Sequence, residues 1–186
     1  FKFQIPNTGS VKAPFKIEIK DKNLCPRYAA QYFENVKVGS SPKWMQKVLV
    51  DCGLRPINNV VDSMNYAMLE AGQPLHAFDF DKIKGTKTIV IRRAKKDEKI
   101  TTLDDKTYEL NESILVIADA VRPLAIAGIK GGKIAEVDKN TKRIIVEAAN
   151  FDGVGIYRTS RLLKLQTDAS LRFSHNISAE LVPVGL

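Results

Sequence analysis

The 186-residue sequence holds two cysteines, two histidines, one tryptophan and no long apolar run. Two thiols, Cys25 and Cys52, are too few for a disulfide framework and point to a reducing compartment. His76 and His175 lie far apart, and neither belongs to a cluster with metal-ligand spacing, so no metal site is expected. No stretch reaches the length that spans a bilayer, and the opening FKFQIPNTGS lacks the apolar core of a signal peptide. A cytoplasmic protein is therefore expected, and the start at Phe1 reads as a segment of a longer polypeptide. Nucleophile-elbow and paired-carboxylate signatures are missing too. The stretch IAGIKGG lacks the Gly-Lys-Ser/Thr ending of a phosphate loop and reads as a tight hairpin, whose glycines also let a ligand approach the backbone. Acidic residues are the scarcer charge: 21 against 29 Lys and Arg leave a net +8, which favours an anionic partner.

What is present suits a folded chain, with 44% hydrophobic and 27% charged residues. Its length fits one substantial domain, residues 1–186, or two small interwoven ones. FKIEIK (15–20) alternates as a strand does, and 28–38 reads as a second strand. A helix is predicted with Ser41 as N-cap, Pro42 at its first position and Gly53 as its stop, packing Trp44, Met45, Val48, Leu49 and a buried Cys52 onto the domain. A second helix spans about 59–70, ends at Gly72 and leads into a loop carrying His76. From Lys87 to Ala149 the chain is mostly short strands, and a basic helix follows over 153–165. The fold class is α+β, a central, mostly antiparallel sheet or barrel flanked by helices.

Two polar residues sit where apolar ones belong. Val61, Asn65 and Met68 follow i, i+4, i+7 spacing, so the Asn65 amide faces inward, where it is either a satisfied core amide or a pocket wall. Strand alternation in RIIVEAANF puts Glu147 on the face of Ile145 and Ala149. A buried carboxylate must find a donor or take up a proton, so Glu147 meets an Arg or Lys of the fold or a polar group that arrives with a ligand.

CPRYAA (25–30), SPKW, RPINNVVD, NY, GQPLHAFD, AGIKGG, VEAANF and TDASLRF together resemble the B3/B4 region of the bacterial-type phenylalanyl-tRNA synthetase β subunit, in order from about Ile17 to Phe173. The resemblance implies an editing module that hydrolyses tyrosine wrongly attached to tRNA(Phe). In that family Glu147 matches the acceptor for the tyrosine phenol and Gly128 the backbone N–H that helps hold the same oxygen. His76 matches the histidine beside the ester, as a base or as an orienting group. Arg55 matches an arginine of the site, Asn65 a pocket amide, and Thr167 and Ala169 positions of the pocket wall. The implied partners are tRNA(Phe), the α subunit and the rest of the β subunit. No cofactor is implied for this region, whereas ATP and Mg serve the full synthetase.

Two departures bear on activity. RFSHNIS replaces the family's usual Glu-Arg-Gly continuation, and Met64 stands where many relatives carry threonine. A non-catalytic tRNA-binding or structural module with a decayed pocket is thus the alternative to an active editing domain. Arg158, Arg161, Lys164 and Arg172 crowd a segment poor in acids and are candidates for contacting the tRNA backbone, or else a solvated helix face.

Overall fold

The structure is a computed structural model, and it describes residues 13–186; FKFQIPNTGS lies outside the described residues. Its largest sheet has the order β1 (Lys16–Ile19), β4 (Thr88–Arg93), β7 (Leu115–Ala118), β8 (Pro123–Ile126), β9 (Lys130–Gly131). β1 and β4 pair in parallel and the other neighbours antiparallel. A second, antiparallel sheet has the order β2 (Arg27–Phe33), β10 (Ile144–Asn150), β3 (Leu75–Asp79). A small hairpin pairs β5 (Lys99–Thr101) with β6 (Thr107–Glu109). The architecture is α+β, and both larger sheets are open rather than closed into a barrel.

The strands after Lys87 do not make one sheet. β10 leaves the others and inserts between β2 and β3, and every one of its residues is buried. That burial explains its nearly continuous apolar sequence, since a strand covered on both faces has no solvent side to mark with polar residues. Ile145 and Ala149 join a core with Phe78, Ile91, Ile117 and Ile126 of the neighbouring strands. Ile144 and Val146, on the opposite face, pack with Ala77, Val137 and Val60.

Val60 belongs to α2 (Asn59–Ala71), which packs on β3. The helix begins at Asn58, whose Oδ1 accepts from the Val60 and Val61 amides at 3.0 and 2.9 Å, and it ends at Gly72 in the left-handed conformation, φ 74°. α1 (Lys43–Asp51) departs from its expected form. Ser41 is not its cap: Pro42 holds that position, and the Ser41 hydroxyl donates instead to Asp62 Oδ2 at 2.5 Å. Cys52 is exposed, as are Trp44 and Val48, and Leu49 is the helix's fully covered side chain. A nine-residue helix whose main packing partner among the described elements is α2 has too little neighbouring surface to bury a whole stripe. α3 (Gly153–Leu163) and α4 (Asp168–Ser174) pack together, and α5 (Val182–Gly185) closes on β10 and β2.

Candidate functional site

His76 lies on β3 and not in a loop. Pro74 is compatible with the start of this strand because it precedes the first ladder position. The register places His76 directly opposite Glu147 of β10, so the two side chains share one face of the sheet. That face turns toward the hairpin between β8 and β9, whose turn passes through Gly128.

Gly128 has φ +68°, and a Cβ there would sit 2.8 Å from Ile156 Cδ1 and 3.0 Å from Phe151, so glycine is required by both conformation and space. The Ile129 amide closes the turn onto the Ile126 carbonyl at 3.0 Å. The Gly128 N–H has no protein acceptor among the hydrogen bonds of the described residues.

Two cavities meet here. The inner one, about 70 Å³, is bounded by His76, Gly128, Glu147 and Ala169 with apolar walls that include Ile126 and Phe173. The outer one, about 620 Å³, is bounded by Arg55, Asn58, Met64, Asn65 and Glu136 among others. They share Leu75, His76, Ile129, Lys130 and Gly131, which form the neck. An engineered cavity of about 150 Å³ holds benzene. At about 70 Å³ the inner cavity is smaller than that, so a ring does not fit within it alone.

Glu147 is 7% exposed, and its partner is neither an Arg nor a Lys. The Tyr28 hydroxyl of β2 donates to its Oε2 in a short hydrogen bond. Burial pushes the Glu147 carboxyl up to about 7, and the Tyr28 bond acts in the opposite direction. Burial likewise holds His76 down at about 4, so its imidazole is neutral across the physiological range. The ring packs edge-on to Phe78, with centroids 4.6 Å apart. It also lies against Gly131, where an added Cβ would be 2.5 Å from His76 Cε1. Gly131 and Tyr28 are the two residues of the site whose parts the sequence reading missed; each was visible inside a quoted motif, but only the sheet register brings it to the site.

The outer cavity is organised around α2. Asp62, buried beneath the helix, accepts from the Ile57 amide at 2.8 Å and so ties down the loop that carries Arg55. Asn65 is half-buried and faces the outer cavity, not the inner one with Glu147. Lys130, at the neck, pairs with Asp104 at 3.0 Å, and Thr102 and Lys130 hold the Asp104 carboxyl down at about 2. Thr167 lines neither cavity. Its hydroxyl caps α4, accepting from the Ser170 amide at 3.1 Å, and donates to the Ile129 carbonyl at 2.9 Å, which anchors the turn beside Gly128.

Of the four basic candidates, Arg161 and Lys164 line a cleft of about 450 Å³ between α3 and α4, together with Tyr157 and His175. Arg158 is exposed on α3 outside the cleft lining, and Arg172 is half-buried and paired with Asp168 at 3.4 Å. Among the described residues no group of three or more His, Cys, Asp or Glu side chains is placed to hold a metal ion.

Two open sheets, with a cavity beside them that a buried carboxylate lines, make this an α+β domain. The same fold occurs in an N-terminal fragment of the phenylalanyl-tRNA synthetase β subunit from Pyrococcus horikoshii, with a TM-score of 0.55 and 16% identity over 83% of this chain and 51% of that one. The sequence model of the B3/4 domain matches residues 24–186, and the chain belongs to that family. It is 48% identical over 176 residues to the phenylalanine–tRNA ligase β subunit of Dehalococcoides mccartyi (strain CBDB1), covering 95% of this chain and 22% of that protein. It is 51% identical over 167 residues to that of Moorella thermoacetica, covering 90% and 21%. The chain thus spans less than a quarter of the length of these curated relatives.

Proposed function

We propose that the chain is the editing module of a phenylalanine–tRNA ligase β subunit and hydrolyses tyrosine from Tyr-tRNA(Phe). The observation that carries the proposal is the lining of the inner cavity, which combines the buried carboxyl of Glu147 with Gly128, whose N–H has no protein acceptor among the hydrogen bonds of the described residues. A tyrosine hydroxyl can donate to Glu147 and accept from Gly128. A phenylalanine ring would leave both groups unpaired, and sites built to bond a substrate hydroxyl reject the analogue lacking it by about 10⁴–10⁵-fold. A purely hydrophobic synthetic pocket rejects the extra hydroxyl by only about 100-fold, which is the deficit such a site corrects.

With the phenol at Glu147, the amino acid's ester end lies at the neck and the nucleotide in the outer cavity, near Arg55 and Asn65. Water adds to the ester carbonyl carbon, the bond to the ribose oxygen breaks, and that oxygen takes the proton the water gives up. An imidazole held near 4 is a weak base at neutral pH, so His76 acts chiefly by orienting water or ester. No cofactor is required for this step. ATP and Mg belong to the ligation reaction of the complete enzyme, and tRNA(Phe), the α subunit and the rest of the β subunit are the partners, in the cytoplasm.

A binding-only module is the competing reading, favoured by the apolar Met64 in the wall of the outer cavity. The two are separated by deacylation of Tyr-tRNA(Phe) and Phe-tRNA(Phe) by the full-length enzyme and its Glu147→Ala variant. Rapid clearance of the tyrosyl ester that the variant loses is expected. Tyr-tRNA(Phe) that is bound yet decays at the uncatalysed rate would establish the binding-only module.

A further inference from the structure

Glu147 has its own tyrosine. Tyr28 faces Ala149 across β2 and β10, two positions along from the Ala30–Glu147 pair, so its ring lies on the sheet face of Glu147 and its hydroxyl reaches Oε2. Burial, and after it the adjacent carboxylate, raise the Tyr28 phenol well above its ordinary value, so this hydroxyl keeps its proton and donates. Among the described residues no other side chain is hydrogen-bonded to the Glu147 carboxyl. Cys25, just before β2, is pushed up to about 12 by burial and then by Glu147, and stays a neutral thiol. His76 on β3 is neutral, Lys130 on β9 is engaged by Asp104, and α4 contributes only Ala169 and Phe173 to this wall.

We propose that Tyr28 is a specificity-determining positioning residue: by donating to one oxygen of Glu147 it favours the ionised carboxylate, whose other oxygen can only accept, so that the cavity takes a ligand hydroxyl as donor to Glu147 and acceptor from Gly128. This deepens the editing reading and rests on it for the identity of the ligand. Without Tyr28 the buried carboxyl loses the one interaction that opposes its protonation. It would then carry a proton at neutral pH, present either a donor or an acceptor, and cease to demand a hydroxyl.

The test uses the full-length enzyme with Tyr28→Phe, Glu147→Gln, and Tyr28 replaced by 3-fluorotyrosine, which keeps the ring in place and is a stronger donor. One readout is the Tyr-tRNA(Phe) to Phe-tRNA(Phe) clearance ratio against pH. The other is the infrared band of the protonated Glu147 carboxyl, identified by its loss in Glu147→Gln. Tyr28→Phe is expected to move both midpoints about one unit to the alkaline side, lowering the ratio about fivefold at pH 7 and restoring it at higher pH. The 3-fluorotyrosine enzyme should shift in the acid direction. A uniform loss of activity with an unmoved midpoint would mean that Tyr28 is structural only and would overturn the proposal, as would an unmoved infrared midpoint in both variants. If the wild type does not clear Tyr-tRNA(Phe), the editing reading fails by itself and the infrared midpoint still decides the part of Tyr28.

Discussion

Gly131→Ala offers a direct way to displace His76 without touching it. Gly131 does not have a positive φ, so alanine meets no backbone strain, and the perturbation is one methyl group. Its Cβ would be 2.5 Å from His76 Cε1, 2.8 Å from Nε2 and 3.1 Å from Leu103 Cδ1. Non-bonded carbons settle at about 3.5–4.0 Å, so the imidazole must retreat by about 1 Å or more. Phe78 also packs against the ring, with centroids 4.6 Å apart at 76°, which limits a compensating rotation. Overpacking of this kind costs about 1–3 kcal/mol, which for a chain of this size lowers Tm by a few degrees up to about 10 °C. A displacement of about 1 Å at a reacting centre can cost about 100-fold in rate. The variant should therefore remain folded at 25 °C, bind tRNA normally and clear Tyr-tRNA(Phe) about 100-fold more slowly in the full-length enzyme. Gly39→Ala, where nothing lies within 4 Å of the added Cβ, is the matched control. Wild-type clearance by Gly131→Ala would refute the placement of His76 at the reacting ester.

Three further outcomes are expected. Thr167→Val removes both the α4 cap and the bond to the Ile129 carbonyl, and should cost about 1–2 kcal/mol in thermal unfolding while raising KM for Tyr-tRNA(Phe) more than it lowers kcat. In pH-dependent unfolding, His76 withdraws stability as pH falls from 6.5 toward 4, because the unfolded chain binds a proton that the fold refuses, whereas Glu147 adds stability as pH falls from about 7 toward 4.5. The two oppose each other between 4.5 and 6.5; Glu147→Gln should unmask a decline toward acid and His76→Gln a rise, each at most about 1.4 kcal/mol per pH unit, and identical slopes in both variants would count against these assignments. If the α3–α4 cleft meets an RNA backbone, Arg161→Ala and Lys164→Ala should each flatten the salt dependence of tRNA binding by a slope of about 1, an effect that filter binding across a salt series would detect.

Glu147→Ala carries an internal cost, because it strands the Tyr28 hydroxyl among apolar neighbours. About 1–3 kcal/mol of destabilisation is expected, short of the 3–5 kcal/mol that breaking a buried ion pair would bring. Thermal unfolding therefore reports on Tyr28, and only the tyrosine-to-phenylalanine clearance ratio reports on the ligand.

Local chemistry was legible where it is decided locally. The span of α2 from about 59 to its stop at Gly72, the hairpin at Gly128 and the strands from Thr88 onward follow from glycine conformation and alternation, which act within a few residues. The misplaced carboxylate of RIIVEAANF was visible as well, because a charged residue inside an apolar run stands out without any partner being known. Three features were decided by tertiary pairing. β3 hid in a stretch read as a loop because its strand character comes from lying against β10, with Leu75 and Ala77 on one face and His76 and Phe78 on the other, all at least half covered. The apolar stripe of α1 stayed in solvent because the amount a helix buries depends on the neighbours it receives. Tyr28 met Glu147 across 119 residues of sequence because β10 inserts between β2 and β3, a choice made by the packing of both its faces and not by any short-range signal.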